Sequence, residues 1–244
     1  MLGKVMQWLG FGRPAPEREQ LGHDEFARRY EQGQRDFSRT VLMGVDLRGF
    51  KLRGFNFRQA DLRMVRDLQE GVTLAGSDLT GALLDGVNLQ QLDVSRVVLY
   101  RADLSGAQLS RANLEQANLG KANLEGVNLE ESLLEGANLE QARLGRAGLH
   151  CVYALGAVFT EAQLTGANLA KADLENANFS QAQLARTNLA WANLNNANLG
   201  EATLSRANLE NADLDWANPN AAKTDQVKWD GARLPQGIWL KDNE

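Results

Sequence analysis

The chain has 244 residues, with 26 Lys and Arg against 31 Asp and Glu, a formal net charge of −5 and a 43% hydrophobic content. That length suits one domain or two small ones, and a charge this small and mixed does not mark a nucleic-acid binder. A single Cys, Cys151, and two His, His23 and His150, exclude a disulfide framework and a clustered zinc site, and no run of 18 apolar residues is present to span a membrane as a helix.

In chain order, residues 1–22 read as a flexible apolar tail and linker. Residues 1–12, MLGKVMQWLGFG, hold seven apolar side chains and one Lys, and Gly12-Arg13-Pro14-Ala15-Pro16 follows as a linker. No small-residue cleavage site follows a proper apolar stretch, which argues against a signal peptide. Three readings stay open for this tail: a disordered terminus, a docking segment for a larger complex, and a weak membrane-surface tether. Residues 23–36 read as an N-terminal cap, in which HDEFARRYEQG predicts a short helix ending at Gly33. Phe26 and Tyr30, four apart, share one face of that helix and are expected to cover whatever lies below it.

A five-residue rhythm begins at Phe37 and runs through Leu42, Leu47, Leu52, Phe57 and Leu62. It resumes twelve residues later at Leu74, so residues 63–73 carry two extra residues and are expected to bulge as a short loop. From Leu74 to Leu214 the period is unbroken over 29 positions, of which 25 are Leu and the others Val94, Ala154, Phe159 and Phe179. Two residues before each lies a small-residue column, with Ala at 20 of its 29 places, and Asn or Asp is common between the columns. A period of five fits neither a helix at 3.6 nor a strand at 2. The chain must turn a corner every five residues, always with Leu and the small residue inside. Four sides then close one turn, and stacked turns hydrogen-bond at strand spacing, about 4.8 Å. In the first stretch Phe50 and Phe55 fall in the small column and are too large for a narrow interior, so the first coils are expected to be distorted.

This A-(D/N)-L-x-x pattern, as in Ala112-Asn113-Leu114 and Ala172-Asp173-Leu174, resembles the pentapeptide-repeat proteins over about residues 37–218. The cap phrase from Tyr30 to Phe37 is most like cyanobacterial members. The resemblance implies an all-β fold, a right-handed quadrilateral β-helix of about nine coils with a short N-terminal capping helix. Pro219 takes a Leu place and is read as ending the pattern. Residues 219–244, with Trp229, Leu234, Ile238, Trp239 and Leu240, then form either a folded cap or a dimer contact, so the chain is a monomer or a C-terminal dimer.

A filled solenoid has no concave site for convergent titratable groups, so no catalytic, cofactor or metal residue is expected. His150 and Cys151 are adjacent but lack an orienting third group. Function is therefore sought on the outer faces, where residues 20 apart stack. Glu115, Glu125, Glu130, Glu131, Glu135 and Glu140 form a candidate acidic belt relieved by one cation, Lys121. Arg146, Arg186 and Arg206 form a weaker basic column on another face. Leu133, Tyr153, Leu155, Leu83, Val98 and Tyr100, with Val158, are apolar where polar residues belong, and form a candidate partner patch. Trp216, Trp229 and Trp239 are candidate contacts toward the C-terminal end, and Trp191 is a further outward Trp. The expected function is a non-catalytic, cytoplasmic protein–protein scaffold or assembly adaptor with no direct nucleic-acid binding. The alternative, from the quinolone-resistance branch of the family, is a DNA mimic that binds gyrase.

Overall fold

The computed structural model describes residues 18–66, 68 and 71–235. Its backbone is a parallel ladder in which residues 20 apart pair, as in Asn113↔Leu133, Leu133↔Tyr153 and Tyr153↔Asp173. Each five-residue unit places three residues in extended conformation and two in a turn. The small residue and the Leu point inward and are buried, and the residue between them pairs outward. The turn closes through the small residue's N–H, which donates to the preceding Leu carbonyl, 3.0 Å from Ala112 to Leu109. The second turn residue has positive φ, 58° at Arg111 and 57° at Gln116, which gives the turn type II character.

Counting donors explains the Asn column. The Leu, the second turn residue, the small residue and the pairing residue each donate their N–H to backbone carbonyls, as Leu114, Gln116, Ala117 and Asn118 do. Only the first turn residue's N–H is left over. It donates to the Oδ1 of the Asn or Asp two residues earlier: Glu115 to Asn113 at 2.9 Å, Ser95 to Asp93 at 3.1 Å, Glu140 to Asn138 at 2.9 Å. Asn and Asp recur between the columns because they complete the backbone accounting. Hydroxyls in the small column are satisfied likewise, Ser132 by the Leu129 carbonyl and Thr187 by the Leu164 carbonyl.

The ladder steps by 20 residues at Asp36↔Asn56 and Val41↔Asp61, by 22 at Lys51↔Thr73, Asn56↔Asp78 and Asp61↔Leu83, and by 20 thereafter. The two extra residues therefore lie between Leu62 and Leu74, where the break in period places them.

The N-terminal part differs from expectation in one respect. Residues 19–21, read as linker, form strand β1 (Glu19–Leu21), which pairs in parallel with β2 (Thr40–Leu42). Leu21 is buried, and its carbonyl accepts the Met43 N–H, so this segment extends the ladder by one rung. Helix α1 spans His23–Glu31, and Gly33 follows with φ 86°, a left-handed conformation that suits Gly. Phe26 is fully buried, 4.6 Å from the Phe37 ring and 5.2 Å from Phe50. Tyr30 packs on Phe50 at 4.8 Å and Phe55 at 5.9 Å, and its hydroxyl accepts the Lys51 N–H. The oversized Phe50 and Phe55 are thus the residues that meet the helix.

At the other end the ladder does not stop at Pro219. Thr203↔Lys223, Asn208↔Lys228 and Asp213↔Arg233 continue it, and Ala221, Gln226 and Gly231 keep the positive-φ turns. The Leu rhythm fails at Pro219, but Ala217, Ala222, Val227 and Ala232 keep the small column. The backbone repeat needs the small residues and turns more than it needs Leu. Pro219 takes the Leu place, and its carbonyl still closes the turn by accepting the Ala222 N–H at 2.9 Å.

Candidate interaction surface

The 20-residue register assigns every outward residue to one of four faces, here named by a Leu column: the Leu114, Leu119, Leu124 and Leu129 faces. On the Leu114 face, Leu133 and Tyr153 are directly paired neighbours, and Leu155 lies beside Tyr153 on the same side. All three are exposed, at 36%, 56% and 37%. The structure therefore brings these three together. It separates them from the other apolar candidates. Val98 and Tyr100 lie on the Leu119 face and Leu83 on the Leu124 face, each half-buried. The six-residue patch is thus a cluster of three, because five-residue steps carry successive repeats around the rod.

The sequence offers no local reason for Leu133 and Tyr153. Each stands where Asn or Asp would accept the first turn N–H, and neither can do so. Among the described residues no side chain accepts from the N–H of Glu135 or Leu155. The next corner is bare: Gly136 and Gly156 occupy it with φ 61° and 63°, and a Cβ at Gly156 would meet nothing within 4 Å. Val158 lies just past this corner, paired with Asn138. The apolar surface is therefore continued around an edge that carries no side chain.

The acidic belt encircles the rod instead of filling one face. Glu115 and Glu135 lie on the Leu114 face, Glu140 on the Leu119 face, Glu125 on the Leu124 face, and Glu130 and Glu131 on the Leu129 face. Two of the six are already paired: Glu131 with Arg111 at 2.8 Å and Glu125 with Arg143 at 3.1 Å. Arg111 holds the Glu131 carboxyl below its ordinary value, chiefly by hydrogen bonding. Arg146, Arg186 and Arg206 share the corner of the Leu124 face, with Arg206 Nε donating to Gln226 Oε1 at 2.8 Å.

His150 and Cys151 approach to 3.6 Å between Nε2 and Sγ, on the outer wall of the Leu129 face. His23 packs edge-on against Phe50 at 6.1 Å. Trp191 and Trp216 project from corners, 63% and 70% exposed. Trp229 is different: it fills a Leu place and packs partly buried against the core. Trp239 and the tail of residues 1–17 lie outside the described residues. Sequence reasoning missed a cavity of about 160 Å³ beside the two-residue insertion, lined by Arg63, Val65, Arg66, Leu68 and Gly86–Asn88. The broken period marked the place. Arg63 is committed there to Asp61 at 2.6 Å.

Among the described residues no group of three or more His, Cys, Asp and Glu is arranged to hold a metal ion, and no helix is long and apolar enough to cross a membrane.

Comparison with known proteins matches the family described as Pentapeptide repeats, in eight copies, over residues 36–64, 70–99, 77–116, 112–150, 153–181 and 182–218. No curated protein matches the chain. Among solved structures, HetL from Nostoc sp. strain PCC 7120, described as involved in heterocyst differentiation regulation, is 29% identical. That match covers 89% of this chain and 99% of HetL, with a TM-score of 0.44. The pentapeptide repeat protein alr5209 from Nostoc PCC 7120 is 31% identical over 42% of this chain and 78% of its own, with a TM-score of 0.30. QnrB1, a plasmid-mediated fluoroquinolone resistance protein, is 15% identical over 86% of this chain and 90% of its own, with a TM-score of 0.42.

Proposed function

The chain belongs to the pentapeptide-repeat family, and on that premise we propose that it is a non-catalytic protein–protein scaffold that docks its partner on the Leu114 face. The carrying observation is the exposed Leu133, Tyr153 and Leu155 cluster, which gives up the Asn-to-turn hydrogen bond that the fold uses elsewhere. Two adjacent rungs forgo that bond, as Arg143, Gln163 and Gln183 do on the opposite face, but here the residues that replace Asn are exposed and apolar, which supports a surface kept for contact. A rod whose backbone ladder is hydrogen-bonded from rung to rung loses little conformational freedom on binding, so a flat face becomes specific at low entropic cost.

The finer architecture in this reading is a right-handed quadrilateral β-helix of roughly nine to ten coils, closed at its N-terminal end by α1. Residues 1–12 serve as a weak tether to a complex or membrane surface, and the C-terminal end of the chain supplies a cap or a dimer contact. The scaffold works in the cytoplasm.

A second reading is a DNA mimic that binds gyrase. The exposed carboxylates of Glu130, Glu135 and Glu140 favour it. Their spread over three faces, and the Arg partners of Glu125 and Glu131, favour the scaffold.

Capture from the native organism's lysate tests both, with wild type and the triple L133E/Y153E/L155E variant as baits and mass spectrometry as readout. The scaffold reading expects a protein retained by wild type and lost by the variant. Recovery of topoisomerase subunits by both baits, reduced at high salt, would overturn it in favour of mimicry.

A further inference from the structure

We infer that the occupant of the Leu114 face is a basic, apolar polypeptide segment, one that sets Leu-, Ile- or aromatic-type side chains between Lys or Arg residues. The inference rests on the scaffold reading above and adds the chemistry of the partner.

The charge pattern of the face carries it. The outward positions of this face from 113 to 196 include Glu115, Glu135, Asp173 and Glu175 and contain no Lys or Arg. Glu115 and Glu135 lie in the column that Leu155 and Glu175 continue, and Asp173 continues the column of Leu133 and Tyr153. The apolar cluster therefore has carboxylates on both sides along the rod axis. None of the four has an ion pair among the described residues, whereas the Leu129 face spends Arg111 on Glu131 and the opposite Leu124 face spends Arg143 on Glu125. Lys171 stands at the corner just before Asp173, and Arg96, one rung before Glu115 on the same face, is bonded to Gln116 Oε1 at 3.1 Å.

Like charges on one face repel each other, and no Lys or Arg of the face between 113 and 196 relieves them. A partner that brought Lys or Arg to these four positions would relieve that repulsion while its apolar side chains covered Leu133, Tyr153 and Leu155. An acidic or purely polar segment would add to it. Electrostatic complementarity of this kind chiefly sets association rate and partner choice, with the apolar contact holding the complex. The bare Gly136–Gly156 corner leaves room for the segment to continue over the edge toward Val158.

Selection from a random 16-residue phage-display library tests this, using the full chain as bait and the Y153E variant in counter-selection. Thermal melts would first confirm that the variant keeps the wild-type fold. The expected result is enrichment of sequences with apolar residues flanked by Lys or Arg. The best synthetic peptide should lose at least tenfold in affinity against E115Q/E135Q/E175Q, and the loss should shrink at high salt. Enrichment of apolar sequences without basic residues, with affinity unchanged in the Gln variant, would overturn the charge inference and leave the scaffold reading standing. Enrichment of sequences matching residues 1–16 would place the occupant in this chain's own N-terminal segment and overturn a separate partner. Peptides that bind wild type and Y153E equally would remove the scaffold reading itself.

Discussion

At the residue scale, the Asn between the columns acts as a backbone ligand. Asn113→Ala removes the acceptor of the Glu115 N–H and is expected to cost about 1 kcal/mol, the net worth of one hydrogen bond. Urea denaturation would measure it, and an unchanged midpoint would contradict the donor accounting. Leu133→Asn and Tyr153→Asn run the other way. Each restores the acceptor while losing a cross-strand apolar pair, so stability should stay within about 1 kcal/mol of wild type. Partner binding should nevertheless fall. Inside the rod the response is different: Leu114→Asp puts an unpaired carboxylate where no water reaches, and should unfold several coils. A cooperative melt at the wild-type temperature would count against the inward assignment of the Leu column.

At the element scale, the N-terminal helix is held by aromatic packing and by acids whose charge matters. Arg28 and Arg29 hold the Glu25 carboxyl down to about 2, mainly through hydrogen bonds, and Arg48 holds Asp46 to about 2. A carboxyl depressed in the fold contributes above its unfolded value near 4 and loses that contribution as pH falls toward 2. The protection factors of the helix amides should therefore fall between about pH 4 and 2, and Glu25→Gln should flatten that dependence. At the far end, Gly231 has φ 70°, and a Cβ there would run into Oδ1 of Asn211. Gly231→Ala should lower the melting temperature by more than Gly156→Ala, whose added Cβ meets open space. Differential scanning calorimetry would compare the two. These ends also show where the sequence was hard to read. The two-residue insertion could be located from Leu62 and Leu74 alone, because period breaks are arithmetic. The continuation past Pro219 could not be read from the Leu column, because Thr224 and Trp229 hide it. The small column of Ala217, Ala222, Val227 and Ala232 carried the signal. Strand β1 left no trace at all, since three residues with a single buried Leu21 make no periodicity.

At the scale of the whole molecule, position around the rod is set, from Thr73 onward, by residue number modulo 20. That register sorts the functional residues. It joins Leu133, Tyr153 and Leu155, which the sequence reading also placed side by side, it sends Leu83, Val98 and Tyr100 to other faces, and it spreads the six-Glu belt over all four, with Glu115 and Glu135 beside the cluster. The register makes a further prediction. Inserting one pentapeptide between Gln141 and Ala142 rotates everything beyond it by a quarter turn while preserving the ladder. The variant should melt cooperatively and lose the partner, because Tyr153 leaves the face of Leu133. Loss of the cooperative melt would instead mean that the coils are not interchangeable.

The central claim is that one face binds one partner. It is tested most directly by capturing that partner with four folded variants, each carrying three Glu substitutions at outward positions of a single face. The account predicts that only the L133E/Y153E/L155E variant of the Leu114 face loses it. Equal retention by all four, or equal loss, would contradict a face-specific scaffold.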